Sequence, residues 1–323
     1  MTITASAPGK AILLGEHVAA YGKPVLAVTI DLRAYVTVSK RKDKKVVINA
    51  PDLDIKDYTM DLSSDYLDYR EASSMLLVSE TIRKTQEYIR DSSGLDIFIR
   101  SEIPLESGLG SSASIIAATI LAIATESKFK LEKREIADLA WQCEHMIHSK
   151  SSGVDPFTVT FGGLCLYKKG EVASLKVPEL PPIVIAHSGI KSITRGIVED
   201  VDKMKKNDPE IFEDLLNLAE NIVLTGKEAV ENENWVRLGS LMSINHGLLS
   251  SIGVSCIQLE RLVYASRIAG ALGSKLCGAG RGGVIVALVS EEGRENVRKS
   301  LVKVGGKLIN TQPTEIGVKI EER

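Results

Sequence analysis

The densest run of residues able to do chemistry is Pro104, Leu105, Glu106, Ser107, Gly108, Leu109, Gly110, Ser111, Ser112, Ala113 and Ser114. Gly108 and Gly110 let the backbone turn sharply, and an apolar helical stretch begins at Ser111. The free amides and positive dipole end of that helix would face the turn, which makes an anion site suited to phosphate groups. The hydroxyls of Ser111 and Ser112 can add hydrogen bonds or ligate magnesium, a hard cation that takes oxygen donors. On its own the segment also describes a glycine-rich turn with a serine cap. It lacks the lysine of G-x-x-x-x-G-K-[ST], so it is not a Walker A loop, and it does not fit G-x-G-x-x-G after a strand.

Phosphoryl transfer also needs charge neutralisation and a group to handle the proton of the nucleophile. Asp155 ends the turn Ser151, Ser152, Gly153, Val154, a place from which a carboxylate can project into a cleft. An Asx-turn before Pro156 fits it equally. Glu144 sits at the margin of the apolar stripe Ile136, Leu139, Ala140, Cys143 and Ile147. A carboxylate there is costly unless paired, so either a bound cation or a helix salt bridge is expected. Lys10 means little as a surface lysine, but beside a carboxylate it would hold that group ionised. His145 and His148 have no third ligand at zinc-like spacing, and with His187 and His246 they read as structural or exposed. Cys143, Cys165, Cys256 and Cys277 lie far apart, as buried thiols rather than a zinc or disulfide framework.

The elements that must position these groups begin with strand-like runs at 11–14, 24–32, 34–39 and 46–48. A helix near 70–90, a strand at 95–100, a helix from 111 to about 125 that is apolar on nearly every side, and an amphipathic helix over 132–148 follow. Residues 157–161 read as a strand, with another after Gly162 and Gly163. Pro178, Pro181 and Pro182 mark a boundary, which divides the chain into domains 1–180 and 181–323. The second half carries three helical stretches between 194 and 271, a strand into the glycine-rich 278–283, a strand at 284–289, a helix and two closing strands. A chain of 323 residues with 44% hydrophobic and 25% charged residues suits a two-domain globular protein. The net charge of −2 leaves no basic face for nucleic acid or anionic lipid. No apolar run reaches the roughly 18 residues of a membrane span. The start of the chain lacks the basic and apolar regions of a signal peptide, so a cytoplasmic location is expected.

Three ordered motifs carry a resemblance: A-P-G-K-A-I-L-L-G-E-H at 7–17, the loop at 104–114, and K-L-C-G-A-G-R-G-G at 275–283. The sequence resembles the GHMP kinases, whose phosphate motif P-x-x-x-G-L-G-S-S-A it matches in full. The resemblance implies an α+β fold, the GHMP kinase fold, with an S5-like N-terminal domain, a ferredoxin-like C-terminal domain and an active site in the cleft between them. It implies ATP as co-substrate and Mg2+, with residues 104–114 and Gly278, Ala279 and Gly280 at the nucleotide, and Ser112 and Glu144 on the metal. It makes Asp155 the acceptor of the substrate hydroxyl proton, with Lys10 beside it. Glu144 precedes Asp155 by the interval the family shows. The stretches 15–27, 192–195 and 245–254 resemble those of members that phosphorylate mevalonate, whereas galactokinases continue the first motif differently. Mevalonate is then the implied substrate, held by Lys10, Glu16, His17, Asp155 and Thr194, and the resemblance also allows a homodimer. Another small-alcohol kinase of the family, or a catalytically silent relative acting as a regulator, are the alternatives; retention of Lys10, Ser112, Glu144 and Asp155 together argues against the latter. One residue departs from the pattern: Arg281 stands where glycine is usual, in a loop where arginine tolerates a positive φ poorly and adds a charge near phosphates.

Overall fold

The computed structural model describes residues 2–61, 73–147, 151–192 and 194–322; His148 lies outside them. The first sheet is built on two long strands, β1 (Thr2–Leu14) and β2 (Val25–Lys40), paired antiparallel along nearly their whole length. Strands β3 (Lys45–Ala50), β4 (Ile55–Asp61) and β5 (Leu95–Ser101) extend it, with β3 parallel to β5. Strict alternation in β5 explains its place as a one-sided strand: Leu95, Ile97 and Ile99 are buried while Asp96, Phe98 and Arg100 face solvent.

Between β4 and β5 runs helix α1 (Ser73–Ile89), and after β5 come α2 (Ser111–Glu126), α3 (Lys133–Ile147) and α4 (Val154–Phe161). α2 is apolar around most of its circumference because β1 and β2 lie on one side of it and α1, α3 and α4 on the others. α4 overturns the expectation of a strand at 157–161. Its β-branched residues suggested one, but Gly153 turns the chain at φ 83°, and Phe157, Thr158 and Val159 are buried beneath the first sheet's helices. Packing against α2 and α3 wins over β propensity.

Strands β6 (Leu164–Lys168) and β7 (Glu171–Leu175) complete the first sheet beside β2. Pro178, Pro181 and Pro182 then lead to β8 (Ile183–His187), the first strand of a second sheet. Helices α5 (Thr194–Asn207), α6 (Pro209–Glu231), α7 (Trp235–Ser251) and α8 (Ile257–Ile268) follow, four where three were expected. Pro209 at the first turn of α6 accounts for the extra break, since proline starts a helix but cannot continue one. β9 (Gly273–Cys277), β10 (Val284–Leu288), α9 (Arg294–Lys303) and β11 (Lys307–Ile309) close the second sheet, whose order β11-β8-β10-β9 is antiparallel throughout. The two sheets with their helices form the α+β architecture expected.

The chain does not end on the second sheet. Asp31 and Thr29 exchange backbone bonds with Gln312 and Thr314, and β12 (Lys319–Ile320) pairs with β1. Buried Arg33 fastens this return by donating to the carbonyls of Ile316 (3.2 Å) and Gly317 (2.7 Å). Among the described residues no helix is long and apolar enough to cross a membrane.

Candidate active site

The open edge of β1 is where the two glycine loops meet. Lys10 N donates to Leu109 O at 2.9 Å, and Ile12 N donates to the Cys277 thiol at 3.2 Å, so the strand is capped by the 104–114 loop and by β9 in turn. The loops themselves touch at Gly108 (φ 86°) and Gly278 (φ 90°). A Cβ on Gly278 would lie 2.8 Å from Gly108 Cα, so only glycine permits this approach. Ser192, which opens the stretch 192–195, adds a clasp, its N–H donating to Glu106 O (3.3 Å) and its hydroxyl to Gly280 O (2.6 Å).

Hydroxyl partners sort the loop serines. Ser107 donates to Pro104 O at 2.6 Å, Ser111 pairs with Ser101, and Ser114 donates to Pro8 O at 2.7 Å. Ser112 differs: it is exposed at the first turn of α2, where the helix presents its unpaired amides. Leu109 and Ala113 are core residues, Leu105 is exposed, and Glu106 pairs with Lys191 at 2.9 Å. The loop is therefore a braced turn with one free face, the geometry an anion site requires.

Three charged residues converge beside it. Lys10 is almost wholly buried, with Nζ 3.0 Å from Asp155 Oδ1 and 2.9 Å from Gly108 O. Burial alone would lower its pKa, but Asp155, helped by Cys277 and Glu16, raises it on balance, and the ammonium stays charged. Asp155 reaches the pair from the first turn of α4, its side chain one-third exposed at 33%. A Cβ placed on Gly110 would lie 3.7 Å from Asp155 Oδ2, which sets this carboxylate against the start of α2. Glu144, in the last turn of α3, accepts a hydrogen bond from the Ser151 hydroxyl at 2.7 Å. Burial and then the Asp155 charge push its carboxyl up, against a smaller pull from Ser151 and Lys10. Two carboxyl groups thus crowd a single lysine beside the hydroxyl-bearing end of a helix, and burial with that crowding disfavours the second negative charge.

Glu16 and His17 follow directly on β1. His17 holds φ 66°, and its Nε2 lies 2.8 Å from Ala279 O. Burial, with the charges of Lys275 and Arg281, lowers its pKa despite that contact. A carbonyl only accepts, so Nε2 carries the proton and Nδ1 is left as an acceptor. The Glu16 carboxylate is buried against the Lys275 ammonium, an ion pair across the two sheets. Asn245, from the stretch 245–254, accepts from Gly15 N at 3.0 Å and so steadies the turn that carries both residues. Thr194 opens α5, but its side chain lies outside the described residues.

Arg281 accommodates the loop rather than disrupting it. It adopts φ 50°, its N–H bonds to Val254 O, Nε donates to Gly253 O at 3.0 Å, and Nη1 meets Asp200 Oδ2 of α5 at 2.6 Å. The guanidinium is thus shared among α5 and the α7–α8 turn. Lys275 was not among the residues expected at the site. A signal for it existed, since a lysine in a five-residue strand that is otherwise small or apolar needs a buried partner. A surface groove of about 610 Å³ between α7 and α8, lined by Cys256, Glu260, Arg261 and Tyr264 among others, holds none of these residues.

Comparison with known proteins places the chain. A model of the GHMP kinases N terminal domain matches residues 76–163 and one of the GHMP kinases C terminal region matches 227–307. A galactokinase galactose-binding signature matches residues 2–40. The mevalonate kinase of Thermococcus sibiricus is 40% identical over 100% of this chain and 99% of its own. Among solved structures, the Methanococcus jannaschii mevalonate kinase superposes with TM-score 0.82 at 28% identity, covering 97% of this chain and 98% of that one. The L. major mevalonate kinase in complex with R-mevalonate does so with TM-score 0.80 at 27% identity, covering 97% and 96%. The galactose-binding signature spans only the first strands, whereas the likeness to mevalonate kinases runs the whole length, and the longer match outweighs it.

Proposed function

The chain belongs to the GHMP kinase family and is an ATP-dependent phosphotransferase with an alcohol acceptor, and from that footing we propose that the alcohol is (R)-mevalonate, converted to (R)-5-phosphomevalonate. The observation that carries the chemistry is Lys10, whose one ammonium touches both Asp155 and the carbonyl of Gly108. It joins the proton acceptor to the loop that cradles the phosphates.

In this reading the amides at the start of α2 and the backbone of Gly278, Ala279 and Gly280 hold the ATP phosphates. Asp155 accepts the proton of the substrate 5-hydroxyl as the oxygen attacks the γ-phosphorus. Lys10 orients Asp155 and offsets charge developing on that oxygen. Little base strength is asked of Asp155, because the loose transition state leaves most of the bond breaking to the leaving group, ADP. Glu16, His17 and Thr194 orient the alcohol. Glu16 offers a buried oxygen with no partner, and His17 an acceptor nitrogen.

The donor set suits magnesium: an exposed hydroxyl on Ser112 and the Glu144 carboxylate, whose ionisation Asp155 disfavours and a divalent cation would restore. When bound, the ion would neutralise charge on the β- and γ-phosphate oxygens. A substrate panel with coupled ADP detection tests the assignment. Mevalonate should exceed galactose, homoserine and phosphomevalonate in kcat/KM, and a higher value for any of the three would overturn it.

A further inference from the structure

Lys275 sits in the middle of β9 with no exposure to solvent. Its ammonium has three acceptors: the Glu16 carboxylate, Leu276 O at 2.8 Å and Ile12 O at 3.4 Å. Cys277, two residues on and so on the same side of the strand, takes the N–H of the same Ile12. β1 slips register here, between Ile12 and Leu14, and the two side chains from β9 satisfy both backbone groups of Ile12 at that irregularity. The far end of the assembly is Glu16, whose Oε1 is bound by Lys275 while Oε2 is buried and has no partner. An orphaned carboxylate oxygen in a closed site is costly and calls for an explanation. A substrate hydroxyl donating to it supplies one.

We propose that Lys275 is a positioning residue for the alcohol substrate, acting through Glu16: its ammonium binds Oε1 and keeps the carboxylate turned so that Oε2 is presented to a substrate hydroxyl. This rests on the reading of Glu16 as part of the alcohol site. The charged and titratable groups facing Glu16 are Lys275 and Cys277 from β9 and Lys10 from β1, with His17 next to it in sequence. Burial pushes the Glu16 carboxyl up and Lys275, then Lys10, pull it back. Lys10 is already committed to Asp155 and Gly108, so removing the Lys275 charge pushes the Glu16 carboxyl further up. A protonated carboxyl still binds a hydroxyl, but as a donor or a weaker acceptor, and the loss is undone as the pH rises.

The test is steady-state kinetics on Lys275→Gln, which keeps an N–H donor and loses the charge, with the neutral double variant Glu16→Gln/Lys275→Met beside it. Lys275→Gln should raise KM for mevalonate tenfold or more at pH 7 while KM for ATP stays within twofold, and the excess should shrink between pH 7 and 9. In the double variant KM for mevalonate should be raised to a similar degree but flat with pH. If Lys275→Gln moves both KM values together, or moves neither and only lowers Tm, Lys275 is a strut between the sheets and the proposal fails. A Lys275→Gln chain that cannot fold while the double variant does fold likewise makes Lys275 a strut and overturns the proposal. Wild-type kinetics keep the two readings apart: if the wild type prefers another alcohol, the mevalonate assignment falls, and the same ratio of KM values measured on that alcohol still decides the role of Lys275.

Discussion

Asp155→Asn isolates the charge of the proposed proton acceptor, because asparagine keeps the shape of the side chain and its hydrogen-bonding reach to Lys10. The stability cost follows from the pair: Lys10 is 3% exposed and Asp155 33%, so the loss falls short of the 3–5 kcal/mol of a fully buried pair and should be about 1–2 kcal/mol. That leaves a folded protein. The chemical step loses its base, and general-base catalysis contributes about 10²–10⁴ in rate, or roughly 2.7–5.4 kcal/mol. The phosphate-binding amides of α2 are untouched, so ATP affinity should change by less than about threefold. Coupled ADP release gives kcat, and titration calorimetry with ADP or a non-hydrolysable ATP analogue gives nucleotide affinity. A variant retaining more than about a tenth of wild-type kcat, a loss under about 1.4 kcal/mol, would remove Asp155 from the role of proton acceptor.

Ser112→Ala and Glu144→Gln should each raise the magnesium concentration needed for half-maximal activity; unchanged titration curves in both would take the ion away from these residues. Arg281→Gly should be close to neutral in Tm, since it gives up an exposed ion pair worth up to about 1 kcal/mol but releases a left-handed residue of similar cost. Its kcat should stay within twofold with KM for ATP altered severalfold at most, and a hundredfold fall in kcat would make the guanidinium catalytic. His17 and His246 both have pKa values lowered by burial from 6.5, so the folded chain binds fewer protons than the unfolded one just below that value. Stability from these histidines is complete above about pH 6.5 and drains away as the pH falls. Tm measured from pH 8 to 5 should show that decline, and His17→Gln should make it shallower; parallel curves would show that His17 contributes nothing to it.

The parts of the site that could be read in the sequence are those whose determinants are local. Gly108, Gly110 and the apolar run behind Ser111 announce a tight turn feeding a buried helix because turn and helix are adjacent in the chain. Asp155 was identifiable as a residue but not as part of a helix, because Val154, Thr158, Val159 and Thr160 favour strand and only packing against α2 and α3 decides otherwise. Lys275 and Glu16 are 259 residues apart, and Arg281 finds Asp200 at a separation of 81. The small and apolar strand around Lys275 says that a buried partner is needed but not which residue it is, and nothing local to Arg281 points to Asp200. The return of residues 312–321 to the first sheet was equally hidden, since its anchor is Arg33 near the other end of the chain.

That return changes what kind of joint the two halves share. A second half attached by one segment of chain would be free to swivel like a ball in a socket. Here the polypeptide crosses from the first sheet to the second near Pro178 and comes back near Gln312, so the second sheet and its helices hang between two posts. A body held at two points resists twisting about every axis but the line that joins them, and the Lys275–Glu16 pair with the packing of α6 and α7 on β1 restrains that one too. The contact of Gly278 with Gly108 is thereby secured from both ends of the second half, by two crossings of the chain as well as by the Ser192 clasp and the Lys275–Glu16 pair.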